Sequence, residues 1–124
     1  MYLAKPLVDL RIYTIKPRKM DAFIEVFDRL GMPVQVKYLG APLGMYASVV
    51  GALNQCVHLW GFDDMGAFEA AHAARNRDPD WPAYLAASGD YIVSQDTQLI
   101  RRAATPVLDG LVASGMKMGG GMLR

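Results

Sequence analysis

The sequence predicts an α+β fold: a four-stranded antiparallel sheet with helices packed on one face. Three observations predict it. Four short segments alternate apolar and polar residues with the period of a strand. Two longer segments repeat apolar residues with the period of a helix. The segments follow one another as β–α–β–β–α–β.

The first strand is "VDLRIYTIK", Val8 to Lys16, rich in β-branched residues. Val8, Leu10 and Ile12 share one face, and Asp9, Arg11 and Tyr13 share the other. After Pro17, the residues Met20, Phe23, Ile24, Phe27 and Leu30 fall on one side of a helix. Gly31 and Pro33 disturb it, and "VQVKYL" continues as a further helical piece. "GMYASVV" is the second strand and "QCVHLWGF" the third, joined around Gly51 to Asn54 as a hairpin.

Asp63 or Asp64 caps the second helix. Met65, Phe68, Ala71 and His72 mark its buried side, and Glu69 and Arg75 its solvated side. "RDPDW" interrupts, and a short helix follows with Trp81, Tyr84 and Leu85 on one face. "YIVSQDTQLIR", Tyr91 to Arg101, is the fourth strand. From about Ala103 no period is evident, so residues 1–103 are expected as the domain and 104–124 as a flexible or partner-dependent tail.

This order makes a split βαβ arrangement, the ferredoxin-like fold. Strands one and three are expected as central, parallel neighbours. The helices cover one face, and Val57 and Leu59 are assigned to it together with Leu10 and Ile12. Cys56, His58, Trp60 and Phe62 then fall on the open face beside Arg11 and Tyr13. So large an aromatic surface exceeds what a monomer leaves in water. A second copy of the sheet is the simplest cover, giving a homodimeric α/β barrel.

Composition narrows the function classes. A net charge of +1 with no basic run beyond Arg101–Arg102 gives nucleic acid no footprint. No apolar run is long enough for a membrane span. The single cysteine, Cys56, excludes an internal disulfide and fits the cytoplasm.

Taken together, "VDLRIYTIKPRKMDAFIEVF", "KYLG", "NQCVHLWGFDD", "DPDWPAYL" and "IVSQDTQLI" resemble the NIPSNAP family from about Val8 to Ile100. The family's acidic-x-Arg-x-Tyr pattern stands here as Asp9, Arg11 and Tyr13. Its apolar-His-apolar-Trp pattern stands as Val57, His58, Leu59 and Trp60, and its Ser-Gln pair as Ser94 and Gln95. The resemblance implies a dimeric ferredoxin-like α/β barrel and no established reaction. The segment beyond Ala103 lies outside it.

The candidate cleft residues are Arg11, Tyr13, His58, Trp60 and Gln95. Arg11 on a buried face requires a partner, and Asp9 is placed to supply one. Alternatively Arg11 grips an anionic or carbonyl-bearing ligand. His58 is either a hydrogen-bonded interior residue or a proton-transfer group. A metal site is not expected, because His72 is assigned to the other side of the sheet, and no cofactor is expected. Two functional classes follow: a homodimer that binds a small molecule or a partner protein, or a small cofactor-independent monooxygenase or isomerase working in the interior cleft.

Overall fold

A computed structural model describes Lys5 to Gly115. Its strands are β1 (Leu7–Ile15), β2 (Gly44–Ala47), β3 (Gln55–Phe62) and β4 (Ile92–Arg101). Its helices are α1 (Met20–Val26), α2 (Met32–Leu39), α3 (Met65–Asn76), α4 (Trp81–Ser88) and α5 (Pro106–Ser114). The four strands form one sheet in the order β2-β3-β1-β4. Every pairing is antiparallel, including β1 with β3, so the expectation of parallel central strands is corrected. The β–α–β–β–α–β order with this strand order is the ferredoxin-like fold.

α1 and α2 are joined by a π turn, Phe27–Gly31, into one helical run. The break expected at Gly31 and Pro33 is absorbed there. Pro33 has no N–H to donate, and a wider turn just before it relaxes the hydrogen-bond ladder. Gly31 also lets α4 approach, since a Cβ on it would stand 2.9 Å from the Tyr84 ring.

The alternation of the strands holds, but the two faces are exchanged. Leu7, Asp9, Tyr13, Ile15, Cys56, His58, Trp60 and Phe62 are buried beneath the helices. In the antiparallel register Leu10 stands opposite Leu59, and Ile12 opposite Val57, on the uncovered face. The physical reason is volume. The space between sheet and helices takes the large aromatics, with Tyr13, Phe23 and Phe27 in one cluster and Trp60 and Phe62 in the other. The shorter aliphatics line the flatter outer face. Asp9 can go under because it is paired.

α3 starts where Asp64 Oδ1 accepts the Ala67 N–H at 2.7 Å. Met65, expected inside, is exposed. Past β4 the chain forms α5, where no period is evident in the sequence. Thr105 caps it by accepting the Leu108 N–H, and Gly115 closes it in the left-handed region. α5 contains no buried residue. The glycine run Gly119 to Gly121 lies outside the described residues.

Candidate functional site

Beneath the helices, β1 supplies Asp9, Arg11 and Tyr13 in alternation, and α3 supplies His72 and Arg75 one turn apart. Arg11 Nε donates to Asp9 Oδ2 at 2.9 Å, and Arg11 Nη2 lies 3.1 Å from His72 Nε2. His72 Nδ1 lies 2.9 Å from the Phe68 carbonyl, which can only accept, so Nδ1 carries a proton. Nε2 of the neutral ring then accepts from Arg11. His72 Nε2 is also 3.4 Å from Asp9 Oδ2, within ion-pair distance of that carboxylate. Burial pushes the Asp9 carboxyl up, but His72 and Arg11 outweigh burial and hold it below its usual value.

The expectation that His72 lies across the sheet from Arg11 is therefore corrected. The solvated reading of Arg75 is also corrected. Its side chain is buried, Nη1 donates to the buried Gln35 Oε1 at 3.1 Å, and Nε and Nη2 reach Asn76 Oδ1. The guanidinium carbon stands 4.4 Å from the Trp81 ring centre, a cation–π distance. The signal for both was present: Phe68, His72 and Arg75 fall at i, i+4 and i+7 on one helix face.

Arg11, Tyr13 and Gln95 line one cavity of about 130 Å³, whose wall also includes Arg75, Trp81 and Tyr84. Leu85, expected to pack with Trp81 and Tyr84, is instead half exposed beside this cavity. His58 and Trp60 are fully buried and are not among its lining residues. His58 faces Arg11 in the strand register, and its ring packs 4.8 Å from that of Tyr13.

The tautomer of His58 follows from its partner. Trp60 Nε1 can only donate, and it donates to His58 Nδ1 at 2.8 Å, so the neutral ring carries its proton on Nε2. Burial first, and the Arg11 charge second, depress its pKa from 6.5 to about 4. Cys56 is buried, and burial raises its thiol to about 11, which leaves it a poor nucleophile at neutral pH. Among the described residues, no group of three or more His, Cys, Asp or Glu is placed to hold a metal ion. No helix among them is long and apolar enough to cross a membrane.

Fold and site together define a small ferredoxin-like α+β protein with a charged cluster between sheet and helices. The NIPSNAP family model matches residues 8–106, and the chain belongs to that family. It is similar to an uncharacterized NIPSNAP domain protein from Burkholderia xenovorans, with 26% identity, 79% of this chain and 95% of that chain covered, and a TM-score of 0.75. It is also similar to a NIPSNAP family protein of unknown function from Agrobacterium tumefaciens, with 25% identity, coverage of 82% and 93%, and a TM-score of 0.76. A candidate antibiotic biosynthesis monooxygenase from Nitrosomonas europaea shares the fold at 12% identity, with coverage of 76% and 95% and a TM-score of 0.57. No curated protein is a significant match.

Proposed function

We propose that this NIPSNAP family protein is a homodimer that binds a small anionic or carbonyl-bearing molecule in the cleft between sheet and helices of each chain. The observation that carries the ligand reading is the convergence of Arg11, Arg75 and the Gln95 amide on one cavity with aromatic walls. Such a mix of apolar wall and few polar groups is what small-molecule sites use.

The dimer reading rests on the other face of the sheet. Val8, Leu10, Ile12, Val57 and Leu59 stand there without a helix over them, and Ile100 and Tyr46 extend the patch. A groove of about 280 Å³ runs beside Val8, Leu59 and Ile100. A second sheet related by a twofold axis would cover this aliphatic surface. A reducing compartment such as the cytoplasm suits the single, buried, free thiol.

The alternative, a cofactor-independent monooxygenase or isomerase, draws no support from His58. Its Nδ1 is already engaged by Trp60, and the ring stays neutral at physiological pH. The likeness to the monooxygenase candidate speaks to fold alone.

A thermal-shift screen of small carboxylates, aldehydes and ketones tests the ligand reading. Gln95 is exposed at the cleft, so Gln95→Trp blocks the site without disturbing the core. Ligands should stabilise the wild type and lose that effect in the variant. A screen without hits, or hits indifferent to Gln95→Trp, would overturn the reading.

A further inference from the structure

Arg75 stands out in the charge balance of the cleft. Arg11 has a carboxylate, Asp9, at 2.9 Å. Arg75 is equally buried, but its partners are the neutral amides of Gln35 and Asn76 and the face of Trp81. Among the described residues it forms no ion pair. Burial and the nearby positive Arg11 both work against its charge, yet a guanidinium stays protonated. The permanently charged side chains of the cleft are therefore two guanidiniums, Arg11 and Arg75, against one carboxylate, Asp9, an excess of one positive charge.

We infer that the cleft selects a monoanion: a small carboxylate with a flat, apolar body, its oxygens held between Arg75 and Arg11. This deepens the ligand reading above and rests on it. One negative charge balances the excess guanidinium. A dianion would overcompensate, and a neutral carbonyl would leave Arg75 unbalanced. A forked guanidinium matches the two oxygens of a carboxylate. The flat body follows from Tyr13, Trp81 and Tyr84 in the wall. Size follows from the volume: a cavity of about 150 Å³ holds one benzene ring, and this one is about 130 Å³, so it encloses the carboxylate and only part of a ring. The body is thus at most one ring, and its outer edge projects past the half-exposed Leu85.

The test is calorimetric titration with benzoate, against neutral benzamide and dianionic phthalate of similar shape. Benzoate should bind saturably, one per chain, and at least about tenfold more tightly than either analogue. Losing one charge-assisted contact weakens binding about ten- to a hundredfold, which is the effect expected for Arg75→Gln. Arg75→Lys keeps the charge without the fork and should fall between the two. It also keeps the test sound if the glutamine variant fails to fold.

Equal binding of benzoate and benzamide would overturn the charge selection while leaving the small-molecule reading in place. Preferred binding of phthalate would do the same. If none of the three binds, while the carbonyl screen above also finds nothing, both the inference and the cleft reading fall. Benzoate binding unchanged in Arg75→Gln would overturn the role of Arg75.

Discussion

Trp60 donates its indole N–H to His58 Nδ1 over 2.8 Å, and both side chains are fully buried. The bond fixes the imidazole as a neutral acceptor on one nitrogen. Protonation at Nδ1 would set two donors against each other.

The first prediction follows from that bond. His58 titrates at about 4 in the fold against its ordinary 6.5. A depressed folded value means the stabilisation is complete above the ordinary value and is lost as pH falls through the folded one. Between those limits the loss approaches about 3 kcal/mol. Urea denaturation from pH 7 to pH 4 should show this slope in the wild type, and His58→Phe should flatten it. Parallel slopes in the two proteins would contradict the assignment.

Asp9 carries the second. Its carboxylate is buried and touches both Arg11 and His72. Asp9→Ala should cost about 3–5 kcal/mol, because it strands a guanidinium in the interior. Its pKa lies below the ordinary value, so its contribution is present above about pH 4 and is lost on further acidification. A loss of under about 1 kcal/mol in chemical denaturation would show that water reaches Arg11 freely.

Gly31 gives the third. A Cβ there would meet the Phe27 ring at 2.5 Å and the Tyr84 ring at 2.9 Å. Both rings are buried, so neither can swing away. Gly31→Ala should destabilise by about 1–3 kcal/mol through overpacking of the π turn against α4. A melting temperature equal to wild type would mean that α4 shifts easily.

The open face gives the fourth. Leu10 and Leu59 stand opposite one another on the uncovered side of β1 and β3. Leu10→Asp should convert a dimer at micromolar concentration into a folded monomer, with an unchanged circular dichroism spectrum. A wild type that sediments as a folded monomer would contradict the dimer.

Much of this fold was legible in the sequence because strand and helix periods are local properties. The pairs Leu10 with Ile12 and Arg11 with Tyr13 were sorted correctly onto opposite faces. Which face goes inside is not local. It depends on whether Asp9 and Arg11 find partners, and His72 on α3 is about sixty residues away along the chain, as the Arg11–His72 contact shows. The burial of Arg75 is not legible in the sequence, because a charged residue on a helix is ordinarily solvated and only packing reveals the Gln35 and Trp81 that receive it. α5 is hard to read from the sequence because Gly110 and the mixed apolar residues blur its period, although Thr105, Pro106 and Gly115 are ordinary start and stop residues. Gln95 enters the candidate cleft from the sequence only through the family's Ser-Gln pair; its place beside Tyr13 comes from the pairing of β1 with β4, which no local pattern in the sequence specifies.

The most direct test of the ligand cleft is an amide chemical-shift map of the isotope-labelled protein titrated with benzoate. Saturable shifts should concentrate at Arg75, Trp81, Ser88 and Gln95 around the cleft, including the Trp81 indole, with Leu10 and Leu59 on the open face unmoved. Shifts concentrated on Leu10, Leu59 and Ile100 instead, with the Trp81 indole unchanged, would contradict it.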